Sequence, residues 1–235
     1  MSNAQIIVTG GSRGIGEAIV VELGRRGFDV VALSRSGKAP AGRGMVCDMT
    51  DERSIADAVA AVGQRGPIIG LVNNAGAHEA RPSAELSLAE FEASMRLNAS
   101  AVLVASREAY PYLRNSADAL IVNIGSFFDR LAVPENLAYC ASKAAVAAMT
   151  RCLASEWAKD GIRVVDIAPG YIETDLNRDF LASEKVKSWL RRRIPVGRAG
   201  DVREISRLVG ALFSERIGFL TGTTIYVDGG QGANL

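Results

Sequence analysis

The sequence predicts an α/β fold: a single domain with a doubly wound, mostly parallel seven-stranded sheet flanked by helices. Three features of the chain point there. Short runs rich in Val and Ile recur at strand length, and stretches with helical apolar spacing separate most of them. No repeat, low-complexity segment or long linker divides the 235 residues, which one α/β domain can occupy.

The expected strands are Gln5–Thr9, Asp29–Ser34, Gly44–Cys47, Ile68–Val72, Ala119–Ile124, Ile162–Ile167 and Thr223–Val227. Their almost unbroken apolar character is what strands buried on both faces require. The expected helices are Gly14–Arg26, Glu52–Gln64, a long region Leu88–Arg114, Tyr139–Lys159, Glu184–Arg193 and Val202–Phe213. Strands alternating with helices close into right-handed crossovers over a parallel sheet. Ligands of such sheets sit beyond the carboxyl ends of the strands, where the strand order reverses. The residues after Val8, Leu33, Val72, Ile124 and Ile167 should therefore ring one crevice.

Composition narrows the classes of function. With 27 Lys+Arg against 26 Asp+Glu the net charge is +1, which argues against holding nucleic acid or anionic lipid by bulk electrostatics. At 48% apolar and 23% charged residues the chain is too apolar for disorder. Cys47, Cys140 and Cys152 are too few for a disulfide framework, and with His78 as the sole histidine no metal site is expected. No apolar run reaches the roughly 18 residues of a membrane helix. The first strand begins by Gln5, leaving no room for a secretory leader, so the expected compartment is the cytoplasm.

After the first strand comes Thr9-Gly10-Gly11-Ser12-Arg13-Gly14-Ile15-Gly16, opening into a helix. Glycines there permit positive φ and close backbone approach, and the helix start offers free N–H groups and a positive dipole end. The spacing G-x-x-x-G-x-G alone describes any tight strand-to-helix turn. In the first βα position of a parallel sheet it points to a dinucleotide held by Gly10, Ser12, Arg13, Gly14, Ile15 and Gly16. The second strand ends Val31-Ala32-Leu33-Ser34-Arg35-Ser36, without the carboxylate that binds a free ribose 2′-hydroxyl. Ser34, Arg35 and Arg13 suit a 2′-phosphate instead, so NADP(H) is expected over NAD(H); the alternative is that both arginines are merely solvated. Asp48, followed by Met49, is placed to accept from an adenine amino group or to cap the next helix. Asn73-Asn74-Ala75-Gly76 after the fourth strand either lines the cofactor, through Asn74, Ala75 and Gly76, or simply turns the chain.

Tyr139 and Lys143 stand one helical turn apart on one face. A phenol ordinarily titrates near 10. An ammonium beside it stabilises the phenolate and brings proton exchange with a carbonyl or alcohol oxygen within reach of neutral pH. Such a pair is also common as a plain surface contact. Ser126 follows the fifth strand at the same sheet edge and can hydrogen-bond a substrate oxygen, or serve only as a turn residue. Asn98, inside the long helical region, can bind a water or backbone group beside Lys143, or be a polar face residue.

Taken in order, these motifs resemble the short-chain dehydrogenase/reductase family over nearly the whole chain. Pro169-Gly170-Tyr171-Ile172-Glu173-Thr174, Leu220-Thr221-Gly222 and Val227-Asp228-Gly229-Gly230 extend the match. The resemblance implies a single NAD(P)-binding Rossmann domain over 1–235, with a substrate flap at about 175–194. It implies that Tyr139 is the general acid/base, that Lys143 lowers its pKa and holds the nicotinamide ribose, that Ser126 orients the carbonyl and that Asn98 supports a water relay. Pro169, Gly170, Ile172 and Thr174 would contact the nicotinamide half. The family's habit further implies a homo-oligomer, a tetramer or dimer, through Leu88–Arg114 and Tyr139–Lys159. Gly125 departs from the pattern, standing where many members carry a second serine.

Three segments should wall the substrate side: Ala77–Ser83, Phe127–Asn136 and Asp175–Ile194. Phe127, Phe128, Leu131 and Val133 suit a partly apolar pocket, unless the two phenylalanines pack beneath the flap. His78 can touch a polar substrate group or stand by. Arg191-Arg192-Arg193 can steer an acidic partner or serve as a solvated helix end. Ile124-Gly125-Ser126 and Ile172-Glu173-Thr174-Asp175 resemble 3-oxoacyl-carrier-protein reductases, but Asn115-Ser116-Ala117-Asp118 and Asp160 offer a carrier little positive charge. The expected substrate is a small ketone or its secondary alcohol. Reduction of a carrier-bound 3-oxoacyl group and a non-catalytic NADP(H)-binding module are the alternatives.

Overall fold

The computed structural model describes residues 4–175 and 177–233. In chain order its elements are β1 (Gln5–Thr9), α1 (Gly14–Arg25), β2 (Asp29–Ser34), β3 (Arg43–Val46), α2 (Glu52–Gly63), β4 (Ile68–Asn73) and α3 (Leu88–Met95). A π turn (Arg96–Ser100) leads into α4 (Ala101–Leu113), followed by β5 (Leu120–Ile124), a 3₁₀ turn (Phe127–Asp129), α5 (Leu137–Trp157) and β6 (Arg163–Pro169). The chain then forms β7 (Ile172–Glu173), α6 (Arg178–Ala182), α7 (Glu184–Arg193), β8 (Gly200–Asp201), α8 (Val202–Glu215) and β9 (Thr224–Val227).

Seven strands lie in the order β3-β2-β1-β4-β5-β6-β9, every pairing parallel, as expected. Side chains alternate across the pleat. Ile7, Val31, Leu33, Ile121 and Val164 therefore face one layer, with Ile55 and Val59 of α2, the alanines of α4, and Leu153 of α5. Ile6, Val8, Val30, Val122 and Ile167 face the other, with Ile19 and Leu23 of α1 and Ile205, Val209 and Phe213 of α8. Each fully buried Val or Ile contributes roughly 1.5–3 kcal/mol, so the three apolar residues of β1 alone anchor both layers.

The structure corrects several local expectations. Burial on both faces fails at the sheet's edges: β3 and β9, each with one neighbour, are only partly covered, and Val46 is 71% exposed. The region Leu88–Arg114 is two α-helices joined by the π turn. The two-residue pair β7–β8 and the short α6 have no counterpart among the expected elements, being too brief for any periodicity to register. The cap of α2 is Asp51, which accepts from the Arg53 N–H at 2.9 Å, and not Asp48.

Packing is tight where β4 meets α8. A Cβ on Gly70 would lie 2.3 Å from Phe213 Cε1. Overpacking of this kind costs about 1–3 kcal/mol. Gly70→Ala is expected to lower the melting temperature by roughly 2–12 °C at this chain length; an unchanged thermal unfolding curve would refute the packing described.

Candidate active site

Strand order reverses between β1 and β4, and the candidate residues gather at that end of the sheet. Gly10 and Gly14 have φ of +66° and +59°, where a side chain would be strained. Asn74 Nδ2 donates to Thr9 O at 3.0 Å and Gly10 O at 3.2 Å, while Thr9 Oγ1 accepts the N–H groups of Asn74 and Ala75. The loop after β4 is thus stapled to the glycine loop. Gly16 makes room for the staple: a Cβ there would fall 2.2 Å from Gly10 O and 2.4 Å from Asn74 Nδ2. Among the described residues no side chain caps α1, whose preceding residue is Arg13, and the same holds for α5 and α6, whereas Asp51, Ser87, Ser183 and Asp201 cap α2, α3, α7 and α8. The first N–H groups of α1 are left for another acceptor, the condition under which a helix start binds phosphate.

Thr174 closes the loop from the far side, its Cγ2 3.7 Å from where a Gly14 Cβ would stand. Asn177 holds it there, accepting from the Thr174 N–H at 2.7 Å and donating to Ile172 O at 2.9 Å. Ile172 is buried in the core beside α1 and α8, so its side chain packs rather than lines the crevice. Pro169 ends β6, and Gly170 allows Asp228 to approach, since a Cβ would meet Asp228 Cα at 2.7 Å. Leu176 lies outside the described residues.

Arg13 and Arg35 are exposed at the same end, with no ion-pair partner among the described residues. Ser34 is buried, with Oγ 3.2 Å from Ser36 Oγ. Asp48 is exposed and accepts from the Thr50 N–H and hydroxyl at 2.9 and 2.8 Å. These bonds hold its carboxyl below the usual range, and the nearby Arg35 guanidinium adds to the effect. Met49 and Ile15 belong to the hydrophobic packing, Met49 against α2 and Ile15 against the α1–α8 layer.

Asn98, Ser126, Tyr139 and Lys143 come together over the ends of β4 and β5. Ser126 is buried and caps the 3₁₀ turn through the Phe128 N–H at 3.3 Å. Tyr139, half-buried, has its phenol pushed above the ordinary range by burial, with hydrogen bonding to Ser126 opposing. Lys143 Nζ donates to Ile124 O at 2.8 Å and stands 5.6 Å from the centre of the Tyr139 ring. Burial pulls the ammonium down to about 8, with Asp166 opposing. Asn98 lies in the π turn and pairs both ways with Ala77: Nδ2 donates to Ala77 O, and the Ala77 N–H donates to Oδ1, each at 2.9 Å. A Cβ on Gly76 would sit 3.0 Å from Asn98 Oδ1 and 3.7 Å from Lys143 Nζ. The glycine keeps open a polar gap that a side chain would fill.

Aromatic rings wall the site. The His78 ring centre is 4.9 Å from that of Tyr139, and its Nε2 is hydrogen-bonded to Asn136. Phe128 lies edge-on to Tyr139 at 5.8 Å. Phe127 packs on Tyr171 at 5.3 Å, and Tyr171 on Trp189 of α7 at 5.2 Å, so Phe127 is linked to the 175–194 segment through Tyr171. The three arginines ending α7 are exposed: Arg191 is 3.7 Å from Glu184, Arg192 donates to Ser188, and Arg193 overlies Trp189. Four further residues border the site without having been given a role of their own from the sequence: Asn136, Tyr171, Asn177 and Asp166. Tyr171 stood inside the Pro169–Thr174 motif, Asn136 closed a wall segment, and Asp166 left a signal as a charge inside an apolar strand run.

Comparison with known proteins follows the same pattern. A family model described as enoyl-(acyl carrier protein) reductase matches residues 10–231. The gluconate 5-dehydrogenase of Gluconobacter oxydans (strain 621H) is 34% identical over 248 residues, covering 100% of this chain and 97% of the relative. A 3-oxoacyl-(acyl-carrier-protein) reductase of Haemophilus influenzae is 33% identical over 234 residues, covering 95% and 96%. The ligand-free structure of Thermoplasma acidophilum aldohexose dehydrogenase aligns with a TM-score of 0.91 and 31% identity, covering 99% of this chain and 95% of that one. Among the described residues no helix is long and apolar enough to cross a membrane.

The Asn98–Ala77 pair is expected to fix the loop after β4. Asn98→Ala should cost about 1 kcal/mol and speed hydrogen exchange at the Ala77 amide, measured by NMR. Unaltered exchange at Ala77 would show that the loop is held by other contacts.

Proposed function

The chain belongs to the short-chain dehydrogenase/reductase family, an oxidoreductase acting on CH–OH and C=O groups, and on that premise we propose that it interconverts a ketone and a secondary alcohol with NADP(H). The observation that carries this reading is the meeting of Asn98, Ser126, Tyr139 and Lys143 beside an uncapped helix start and the gap over Gly76. A dinucleotide fits these residues. Gly10, Ser12, Gly14 and the first turn of α1 would hold the pyrophosphate, Arg13, Ser34 and Arg35 a 2′-phosphate, and Asp48 the adenine amino group. Asn74, Ala75, Gly76, Lys143, Pro169, Gly170 and Thr174 would border the nicotinamide half. When bound, the nicotinamide supplies or accepts the hydride.

The protein's own part is proton transfer and orientation. With its phenol held above the ordinary range, Tyr139 is protonated at neutral pH and ready to give a proton to a carbonyl oxygen. Ser126 offers that oxygen a second hydrogen bond. Lys143, charged below about 8, stabilises the phenolate left behind. Asn98 keeps the gap beside Lys143 polar, suiting a water through which the proton is replaced.

The segment 175–194 would act as the substrate flap, Tyr171 and Trp189 joining it to Phe127. His78 and Asn136 add hydrogen-bonding groups to the aromatic wall, which favours a small hydroxylated substrate, and two relatives are named for hydroxylated compounds, gluconate and aldohexose. Likeness to the Haemophilus enzyme favours a second reading, reduction of a 3-oxoacyl thioester. Exposed Leu88, Leu103 and Leu137 support a homo-oligomer through α3, α4 and α5.

Cofactor consumption with NADPH and NADH against simple ketones, diketones, keto sugars and a 3-oxoacyl thioester tests the proposal. Tyr139→Phe should lower kcat by about a hundred- to ten-thousand-fold while NADPH binding persists; full turnover in this variant would remove Tyr139 from the chemistry. Arg35→Asp should weaken NADPH by roughly ten- to a hundredfold and spare NADH. Equal weakening of both would mean that Arg35 does not hold the phosphate.

A further inference from the structure

Asp166 takes no part in the motifs behind the proposed reaction, yet it is wholly buried, at 0% exposure, in the middle of β6. Thr224 Oγ1 donates to its Oδ2 at 3.0 Å, and Oδ1 has no hydrogen-bond partner among the described residues. A half-satisfied carboxylate between Val165 and Ile167 is costly unless a charge compensates it. Its position says which charge. In the sheet Asp166 pairs with Asn123, next to Ile124. A Cβ on Gly125 would lie 2.5 Å from Asp166 Oδ1 and 2.8 Å from Oδ2, so the carboxyl group fills the space beside the Ile124–Ser126 backbone. On that backbone, Ile124 O accepts from Lys143 Nζ at 2.8 Å. Gly125 and Asp166 are thus a matched pair, because any side chain at 125 would collide with the carboxylate.

We propose that Asp166 is a positioning residue for Lys143, its buried carboxylate compensating the buried ammonium so that Nζ stays charged and hydrogen-bonded to Ile124 O. This rests on the part given to Lys143 above. The two charges each favour the other's ionised form: Asp166 opposes the burial that pulls Lys143 down to about 8, and Lys143 opposes the burial that pushes Asp166 up to about 6. The other groups around the pair are few. Asp129, on the 3₁₀ turn, disfavours ionisation of Asp166 and accepts from Tyr226 Oη at 2.8 Å. Tyr226 reaches in from β9 with Arg130 stacked 3.5 Å over its ring centre, and Tyr139 faces Lys143 from its own helix.

Between about pH 6 and 8 Asp166 is ionised and Lys143 protonated. Below that window Asp166 takes up a proton, but Lys143 needs no help there to stay charged. Removing the carboxylate should therefore matter little in acid and increasingly as pH rises through neutrality.

The test is titration of Lys143 by NMR in protein labelled with ¹³C at lysine Cε, without cofactor or substrate, the resonance assigned with Lys143→Arg. Wild type should titrate near pH 8 with a smaller inflection near pH 6 as Asp166 ionises. Asp166→Asn should lose that inflection and titrate about 1–3 pH units lower. Coincident curves for the two proteins would overturn the proposal. So would a wild-type curve with no inflection near pH 6, a result that stands even if the variant does not fold. Neither readout needs turnover, so failure here is separable from failure of carbonyl reduction. In the working enzyme, the wild-type to Asp166→Asn ratio of kcat should climb from near unity at about pH 4 to about fivefold or more at pH 8; a ratio constant with pH would mark Asp166 as structural only.

Discussion

The rest of the structure depends on the parallel pairing of β1 with β4. To the β2 side of β1 the chain leaves through α1, and to the other side β4 sends it away through the Asn74 loop. The two connections diverge, and the space between them cannot be closed by either. What keeps it a defined crevice is the pair of hydrogen bonds from the Asn74 side chain to the carbonyls of Thr9 and Gly10, together with those that Thr9 Oγ1 accepts from the N–H groups of Asn74 and Ala75. Four backbone groups that would otherwise need water are satisfied at the mouth of the sheet. The small residues around them follow from geometry, because Gly10 and Gly16 stand where the two loops touch.

Behind this edge the interior is more polar than its apolar strands suggest. Asn73 donates to Asn123 and Ser106, and Asn123 donates to Thr150, forming a buried chain that ties β4 and β5 to α4 and α5. Such networks give direction where hydrophobic contact gives only area. The α5 helix carrying Tyr139 and Lys143 is held near its middle by Thr150 on Asn123 and, one turn from Tyr139, by Lys143 on Ile124. Orientation of the candidate acid/base pair is thus set by the same strand that presents Ser126.

Most of the architecture was legible because its signals are local and repeated. Val- and Ile-rich runs specify two-sided strands, and the order of small motifs along the chain specifies which strand ends carry them. The illegible parts have physical reasons. Edge exposure at β3 depends on which strand lacks a neighbour, and no window of sequence contains that. Asp48 and Asp51 are equally good helix caps by residue type, and only backbone geometry chooses Asp51. Asn177 and Asn136 act through partners whose loops approach only in the fold. Tyr139 illustrates a subtler gap: its neighbour Lys143 was visible in the sequence, but the burial that dominates its titration was not.

The π turn at Arg96–Ser100 works as a phase shifter. An α-helix advances about 100° per residue, so one residue inserted in a turn rotates everything beyond it by that amount relative to everything before. Here the alanines 101, 105 and 109 must face the sheet, while Asn98 must face Ala77. A continuous helix ties those two demands to one angular relation, and the wide turn releases them from it. Evolution can therefore revise the sheet-facing stripe of α4 without turning Asn98 away from the crevice, provided the count of residues between them is kept. Tolerance to substitution along that stripe and intolerance to single-residue deletion within the five positions of the turn should therefore coexist.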